Sequence, residues 1–591
     1  MSRLNADGPA TDRHGMPHPI LRTVGVAVCG LTLAVAGQAL PAAGDDGAAT
    51  PPVARADVDA HATDESITIT ADGTAVAEDQ WEAPAQAAEP TDGTGLAAQA
   101  EAAQASLSSA FSLHSKPGAP RVVHLDFDGG VLLAANSWVT YGLSTLLVPG
   151  WSLDGSASFS DAEKRIILEV WARVAEDYAP FDIDVTTEEP PLGDLWRSTS
   201  NDQRYGTRVA FSTGSRIQAD ICNGACGGIA WIGTFDAITS GETRSPAWVF
   251  PSSLGNRAKS MAEAASHEVG HNLGLSHDGT TSSSYYGGTS LWGPLMGSPY
   301  SSGVSQWSKG DYSRADNHED DYAVMLANGA GVRDDEAGAS VETAVPLANL
   351  PGGRGYITSR SDVDWLTVED CTRTVQVEAN PASVGPNLDI KIELRSATGA
   401  VISSAAPETV RTSSGISGLA ASLQSTVTPG GPYYVTVSGV GSLPGGGGTW
   451  SGGYDDYGSM GSYDLQVAGC DGGVVTPTNP TDPVPDSVVR RPGAPTAPAA
   501  ASGARGGRSS LTTRWSPPAS GGAPITGYVA IAYRLDRRGR IVSRVVSRVQ
   551  SSTTRRLQLN LRSGRYVVRV KARNRAGWGA LSARSRAVVS R

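Results

Sequence analysis

The sequence predicts a multidomain protein in which an α+β domain is followed by two all-β sandwich domains. Its 591 residues are too many for one hydrophobic core. Its 70 glycines and 36 prolines, with only 18% charged residues, are typical of Gly-rich β domains joined by linkers. Helical and strand-like segments are mixed in residues 119–329, whereas residues 334–471 and 492–591 show only strand-like alternation.

Residues 1–43 are predicted to be a signal peptide. Arg13 and Arg22 precede an apolar run at residues 24–40, and the sequence becomes acidic after it. The run contains Gln38 and three glycines, so it is short and weak for a stable membrane span. A cleaved signal predicts a secreted, extracellular protein, and an uncleaved anchor is the alternative.

Cysteine usage agrees with export. Outside the signal peptide the chain has four cysteines: Cys222 and Cys226 frame the stretch CNGAC, and Cys371 and Cys470 lie near the two ends of one β-rich region. Two disulfides, Cys222–Cys226 and Cys371–Cys470, are the economical interpretation for an oxidising compartment.

Residues 44–118 form an acidic, low-complexity region rich in Ala, Asp, Glu and Thr. The region has few large apolar side chains, so we expect it to be disordered unless something else holds it. Only ESITITADGTAVAEDQW shows strand-like alternation. We interpret residues 44–118 as a pro-region, and a solvated linker is the alternative.

The next 211 residues, 119–329, mix helix and strand patterns. SFSDAEKRIILEVWARVAEDYAPF predicts a helix, because Ser160 and Glu163 form a capping box at its start and Pro180 ends it. Strands are predicted in DIDVTTEE, YGTRVAFST, GGIAWIGTF and PAWVF. A Pro/Thr-rich linker at residues 472–491 separates the two later β domains.

The stretch HEVGHNLGLSH carries the strongest functional signal. His267 and His271 are four residues apart, so on a helix both imidazoles leave the same face and reach one metal ion. Glu268 follows the first histidine and is placed over an open coordination position, where a water would lie. Gly274 permits a left-handed turn that ends the helix and brings His277 back as the third ligand. Three nitrogen ligands and one open position are typical of catalytic zinc.

A short HExxH arises by chance in many chains, but the longer pattern fixes five positions in a chain with only nine histidines. That pattern resembles the HExxHxxGxxH signature of the metzincin zinc endopeptidases, and the resemblance covers residues 119–329. It implies a metzincin-like α+β catalytic domain that binds Zn²⁺, with Glu268 as general base. It also implies a methionine turn under the metal, which GPLMGSPY supplies with Met296. The position of Asp278, directly after the third histidine, resembles the pattern of the reprolysin-like branch of this family.

The same resemblance has implications for how a substrate binds and for how the enzyme is inhibited before activation. GGIAWIGTF resembles the family's edge strand, along which an extended polypeptide substrate lies antiparallel. Some metzincins carry a tyrosine two residues after the turn methionine; here that position is Ser298, and Tyr300 is the candidate oxyanion helper or extra ligand. Residues 44–115 contain no cysteine, which excludes thiolate latency. Inhibition would use a carboxylate, a histidine such as His61, or bulk occlusion.

The two later domains also show resemblances. SDVDWLTV and GGPYYVTVSG in residues 334–471 resemble the pre-peptidase C-terminal β-sandwich of secreted bacterial peptidases. Asp362 and Asp364 there are a candidate structural Ca²⁺ site, with a capped turn as the alternative. Residues 492–591 resemble a fibronectin type III domain, in which Trp515 and Tyr566 match core aromatic residues.

The C-terminal domain is strongly basic, with 20 Lys and Arg and one acid. It lacks the aromatic platforms of single-strand binding, so we expect no nucleic-acid partner. Weak binding to an anionic cell-wall polymer or polysaccharide is predicted for residues 492–591, and a passive spacer is the alternative. We expect a monomer.

These observations predict a secreted zinc-dependent metalloendopeptidase that hydrolyses extracellular proteins through a zinc-activated water, with Glu268 as general base. One alternative is a zinc hydrolase of a non-protein amide, since the motif fixes the water and not the substrate. The other is a catalytically silent adhesin with a relic metal site, although the glutamate and all three histidines are present.

Overall fold

The computed structural model describes residues 66–79, 107–156, 158–222, 226–413, 415–442, 453–471, 491–503, 509–520, 525–538, 541–574, 577–579 and 581–590. The predicted signal peptide, His61 and nearly all of the predicted linker lie outside these residues. Within the described part, no helix is long and apolar enough to cross a membrane.

The described residues are mostly β, with five α-helices. The helices are α1 Ser137–Tyr141, α2 Asp161–Asp177, α3 Ser215–Ile221, α4 Ala258–Asn272 and α5 Asp321–Ala327. Short 3-10 helices are at Leu107–Ser109, Leu192–Asp194, Leu347–Asn349 and Pro351–Gly353. The capping box predicted from Ser160 and Glu163 is present at the start of α2.

A seven-stranded sheet organises the first part of the chain. Its strands are β1 Ile67–Ile69, β2 Ala75–Asp79, β3 Arg121–Asp126, β6 Ile183–Thr186, β7 Tyr205–Phe211, β8 Gly228–Trp231 and β9 Ala247–Val249. Two small two-stranded sheets pair β4 Gly129–Val131 with β5 Leu147–Pro149 and β10 Trp292–Pro294 with β11 Val304–Gln306.

The order of the large sheet is β1-β2-β8-β9-β7-β3-β6. The four strands from β9 to β6 are parallel to one another, whereas β8 runs antiparallel to β9 and β2 antiparallel to β8. Strand β8 is therefore the outermost strand contributed by residues 119–329, and two strands of the predicted pro-region extend the sheet beyond it.

Both faces of this sheet are covered, because side chains alternate along each strand. On β7, Val209 and Phe211 face the main core, which α2 and α4 complete, whereas Ala210 faces a second core that α1 and α3 complete. Helix α4 packs against α2 and against strands β7, β8 and β9. The histidine motif therefore lies on a buried helix beside the edge strand.

The middle of the chain is all-β. Its strands are β12 Val345–Pro346, β13 Arg354–Ile357, β14 Val363–Val368, β15 Thr374–Pro381, β16 Ile390–Arg395, β17 Val401–Ala405, β18 Val410–Thr412, β19 Gly415–Ser417, β20 Ala421–Thr426, β21 Tyr433–Gly439 and β22 Gly461–Ala468. One sheet has the order β12-β14-β21-β16-β17 and another β13-β22-β15-β20. Apolar residues of both sheets share one core.

The C-terminal strands are β23 Ala499–Ser502, β24 Ser510–Arg514, β25 Gly527–Leu535, β26 Ile541–Val546, β27 Gln550–Ser551, β28 Arg556–Asn560, β29 Gly564–Asn574, β30 Gly577–Trp578 and β31 Val588–Ser590. Trp515 and Tyr566, which carry the resemblance to fibronectin type III, lie in the core of these strands. The Tyr566 hydroxyl donates to the carbonyl of Arg562 at 3.1 Å.

Both predicted disulfides are present. The sulfurs of Cys222 and Cys226 are 2.01 Å apart, and those of Cys371 and Cys470 are 2.06 Å apart. The second bridge joins positions 99 residues apart in sequence and ties the segment after β14 to the segment after β22.

Two parts of the predicted pro-region, residues 66–79 and 107–118, are described by the structure, and the first is held by the large sheet. All five residues of β2 are buried, and residues 107–118 precede β3 without a break in the described chain. The composition of the region does not permit a core of its own, so the order comes from pairing with β8, which supplies hydrogen bonds and apolar surface.

Candidate metal centre

Helix α4 places the first two histidines. Its sequence, AKSMAEAASHEVGHN, is rich in good helix formers, and all of its residues are buried. His267 and His271 leave the same face one turn apart, and their Nε2 atoms are 3.0 Å from each other.

The end of α4 places the third histidine. Gly274 has φ +96°, and a Cβ there would lie 2.6 Å from the side-chain nitrogen of Asn328. The chain can therefore turn sharply at this glycine. The turn brings His277 back, so that its Nε2 lies 3.0 Å from Nε2 of His271.

The other ring nitrogens show that this cluster fits a cation. Nδ1 of His267 donates to the carbonyl of Leu295 and Nδ1 of His271 to the carbonyl of Leu275, both at 2.8 Å. Because a carbonyl only accepts, each Nδ1 carries a proton, and in the tautomer that binds a metal Nε2 carries the lone pair. Lone pairs facing each other at 3.0 Å repel, and a cation between them removes that repulsion. Burial lowers the pKa of His271 to about 4, which keeps its ring neutral at pH 7.

The segment around Met296 packs against the helix and the loop that carry the three histidines. Met296 is fully buried, and its sulfur lies against Gly270 of α4, where a Cβ would come within 2.6 Å of it. Its carbonyl accepts from the backbone N–H of Asp278 at 2.8 Å. The same turn supplies the Leu295 carbonyl that orients His267. This turn thus fixes both the helix and the loop that carry the ligands.

A fourth donor comes from the predicted pro-region. The Oδ1 atom of Asp79 lies 2.9 Å from Nε2 of His277 and 3.5 Å from Nε2 of His267, and its Oδ2 lies 3.9 Å from Nε2 of His271. Ligands at about 2.0–2.1 Å around one tetrahedral zinc are separated by about 3.3 Å. The three imidazoles and this carboxylate therefore match a four-ligand zinc site in kind and spacing.

Glu268 lies beside the cluster rather than in it. It is fully buried and lies against Gly228 of β8, where a Cβ would overlap its carboxylate, so this glycine leaves the space that the side chain occupies. Burial, with the neighbouring carboxylate of Asp79, raises the pKa of Glu268 well above its usual range. A cation bound to the histidines would favour the ionised form of Glu268, because its positive charge opposes the effect of burial and of Asp79.

Two tyrosines lie near the cluster. Tyr285, in the loop after His277, donates its hydroxyl to Oδ1 of Asp79 at 2.9 Å, and its ring centroid is 4.5 Å from that of His277. Tyr300, the candidate from the sequence, is buried in the main core. Burial, with Glu263 and Asp79 among its neighbours, raises the pKa of Tyr300 well above its usual range. The role of Tyr300 stays a prediction.

The sequence did not single out Asp79, Tyr285 or Gly228. Asp79 had a weak signal, since it lies near the end of the one alternating stretch of the pro-region and a carboxylate was among the groups considered for inhibition. Tyr285 and Gly228 gave no such signal in the sequence. The position of Tyr285 depends on the path of a loop and that of Gly228 on the register of a strand, and short-range patterns encode neither.

A second acidic group lies in the middle β region. Carboxylate oxygens of Asp335, Asp362 and Asp364 lie within 4.8 Å of one another. Asp362 accepts from the backbone N–H and hydroxyl of Thr358, as a capped turn would, and burial raises the pKa of Asp364 to about 9. Oδ1 of Asp364 is buried without a hydrogen-bond partner among the described residues. Calcium binding here stays a prediction.

Comparison with known families agrees with two of the resemblances. Residues 183–278 match the family model described as "Metallo-peptidase family M12B Reprolysin-like", and residues 496–588 match "Fibronectin type III domain". The chain thus contains a reprolysin-like metallopeptidase domain and a fibronectin type III domain. The first match includes β8, α4 and all three histidines. Metallopeptidases of this kind use a metal, usually zinc.

No curated protein matches the chain. Among solved structures, it is similar to the FN5 domain of Drosophila Lar, with 25% identity over 17% of this chain and 96% of that chain and a TM-score of 0.14. It is also similar to the titin kinase and its flanking domains, with 21% identity over 17% of each chain and a TM-score of 0.14. The chain therefore spans 17% of the length of that titin structure. TM-scores this low carry no conclusion about function.

Proposed function

We propose that the protein is a secreted zinc-dependent metalloendopeptidase acting on extended polypeptides outside the cell. The observation that carries this proposal is the convergence of three buried imidazoles with Glu268 beside them, next to an edge strand. The β-sandwich form of residues 334–471, with a likeness to the pre-peptidase C-terminal type, belongs to the same proposal.

The edge strand supports the expected mode of substrate binding. Strand β8 runs antiparallel to β9, and its other edge already accepts a strand of this chain in antiparallel pairing. Backbone hydrogen bonds of this kind bind a peptide whatever its side chains are. A polypeptide laid along β8 would pass Gly228, which lies directly against Glu268.

His267, His271 and His277 would hold the zinc, which supplies a Lewis acid that lowers the pKa of a water towards about 7 and polarises a carbonyl. Glu268 is positioned to take the proton of the attacking water and to return it to the leaving amine. Gly228 leaves the space that this carboxylate needs. The hydrogen bonds from Nδ1 of the first two histidines to carbonyls keep the ligand nitrogens aimed at one point.

Tyr285 is positioned to stabilise the developing oxyanion. Its hydroxyl already donates to a carboxylate oxygen that lies 2.9 Å from Nε2 of His277, which is where a reacting carbonyl oxygen would come. The ring is held against that of His277, so the donor does not need to be ordered during the reaction.

The function is tested with the exported chain and with its Asp79→Ala variant, which lacks the fourth donor at the cluster, on a panel of unfolded proteins and peptides. We expect internal peptide bonds to be cleaved. A chelator should stop the cleavage and Zn²⁺ should restore it, because the reaction depends on the Lewis acid that the metal supplies. Mass spectrometry of the products identifies the bonds that are cut. Hydrolysis of non-protein amides alone would favour the other zinc hydrolase, and zinc binding without hydrolysis of either class would favour the adhesin.

Replacement of Tyr285 by phenylalanine is expected to lower kcat about 10²-fold with little change in KM, because the hydroxyl acts on charge that develops only in the transition state. Tyr286→Phe is the matched control, since its ring stacks on Tyr312 at 4.4 Å and keeps that contact without the hydroxyl. Tyr300→Phe is measured in parallel. A loss of kcat in Tyr300→Phe but not in Tyr285→Phe would transfer the role to Tyr300.

A further inference from the structure

We propose that residues 66–79 are an intramolecular inhibitor of the metal centre, with a strand in the position of a substrate and the Asp79 carboxylate in the coordination position needed for water. This inference rests on the proposed function, because it names what keeps that site closed. Four independent features of the described residues carry it.

The first feature is the pairing of the strand. Val76 to Asp79 pair antiparallel with Trp231 to Gly228 of β8. The pairing is completed at both ends, since Ile232 donates its N–H to the carbonyl of Ala75 at 3.0 Å and Gly227 donates to the carbonyl of Asp79 at 2.8 Å. The edge of β8 that a peptide would use is therefore already filled along its length.

The second feature is register. Asp79 is opposite Gly228, the glycine against which Glu268 lies. Because side chains alternate along a strand, a shift of one residue would turn Asp79 away from the cluster. The register thus brings a carboxylate to the one level of the strand where the proposed reaction takes place.

The third feature is what Asp79 does there. Its side chain is completely buried and contacts the imidazoles, while Tyr285 donates to the same oxygen that lies closest to His277. Its main-chain carbonyl is used by Gly227, so no peptide carbonyl of this residue is presented to Glu268. The Asp79 carboxylate therefore occupies the position expected for the carbonyl oxygen of a substrate. Because a carboxylate has no leaving group, the strand is not cleaved at Asp79.

The fourth feature is the anchoring of the hairpin around the third ligand. The Ser66 hydroxyl lies 3.1 Å from Nδ1 of His277. At the turn between β1 and β2, Asp72 forms an ion pair with Arg244 at 3.5 Å. Residues Ala75 to Ala77 are buried but small, so each contributes only a modest apolar area to holding the strand. A tethered segment at millimolar effective concentration still suffices to fill a site.

The test measures ligand access to the metal in the full zinc-loaded chain, independently of peptide cleavage. The probe is a peptide hydroxamate, which binds zinc through two oxygens, and its dissociation constant is measured by calorimetry for the wild type, Asp79→Ala and Asp79→Asn. We expect Asp79→Ala to bind the hydroxamate at least about tenfold more tightly, because affinity falls with the fraction of molecules in which the site is open. Asp79→Asn keeps the size of the side chain and removes its charge, so we expect an intermediate gain.

Ala71→Ser is the matched control, since Ala71 is exposed in the turn of the same hairpin and does not belong to the cluster of metal-binding donors. We expect it to bind the hydroxamate as the wild type does. As a second readout, the cobalt-substituted wild type should keep its visible spectrum when hydroxamate is added at a concentration that changes the spectrum of Asp79→Ala.

Equal hydroxamate affinity in the wild type and both Asp79 variants, each with one zinc bound, would overturn the inference. If Asp79→Ala fails to fold, Asp79→Asn and the cobalt spectrum of the wild type decide in the same way. Tighter hydroxamate binding without cleavage of any peptide would uphold the inhibitory segment and contradict only the proposed function. Zinc-dependent cleavage that both Asp79 changes leave unaltered, with unaltered hydroxamate affinity, would contradict only the segment.

Discussion

Replacement of Glu268 by glutamine is expected to lower kcat for peptide hydrolysis about 10²- to 10⁴-fold while the protein keeps its zinc. The Glu268 carboxylate lies beside the three histidines but is not among the four donors of the cluster. Its loss therefore removes the proton acceptor but no metal ligand. Glutamine has nearly the same size and fits the space that Gly228 leaves. Zinc content and steady-state kinetics are measured on the same preparations, in the full chain and in an Asp79→Ala background.

The matched control for this prediction is Glu169→Gln on α2. Glu169 forms a partly exposed i,i+4 ion pair with Arg173 and does not belong to the cluster, so its loss is expected to leave kcat and zinc content unchanged. Near-normal turnover in Glu268→Gln would refute the proton-transfer role, and loss of zinc from that variant would show that Glu268 acts as a ligand.

The local part of this architecture could be predicted from the sequence. The capping box of α2, the helix that carries His267 and His271, and the glycine turn before His277 follow from spacings within a few residues. Such spacings follow from helix geometry, which sets the distance between residues three or four positions apart. The disulfide pairs followed from the count of cysteines and their positions.

The non-local part could not be predicted in the same way. Asp79 reaches His277 across 198 residues of sequence because β2 pairs with β8, and nothing in either segment alone specifies that pairing or its register. The composition of residues 44–118 argued against burial, since it lacks large apolar side chains. An edge strand supplies what the composition lacks, namely a row of backbone donors and acceptors, and so a weakly apolar segment becomes ordered.

Charge connects the two proposals. In the closed arrangement, Zn²⁺ would be balanced by the carboxylates of Asp79 and Glu268, which makes the buried centre neutral. Without Asp79, that position would be open to water, where a bound Zn²⁺ would supply a Lewis acid and Glu268 would accept the proton. The same residue therefore stabilises the metal in the silent chain and prevents its reaction, so latency and metal retention are expected to be coupled.

Replacement of His271 by alanine is expected to remove the metal itself. His271 is the central ligand, since its Nε2 lies 3.0 Å from that of both other histidines, and its Nδ1 contact with Leu275 orients it at the helix end. Loss of a ligand should raise the zinc dissociation constant more than about 100-fold, beyond what loss of a supporting hydrogen bond does. Added Zn²⁺ should then raise the melting temperature of the wild type but not of the variant, because only a ligand that binds the folded state stabilises it. The control is His318→Ala, because His318 is an exposed histidine outside the cluster, and this variant should respond to zinc as the wild type does.

A His271→Ala protein that keeps one tightly bound zinc would show that the three imidazoles do not share one ion. Both proposals would then fail together.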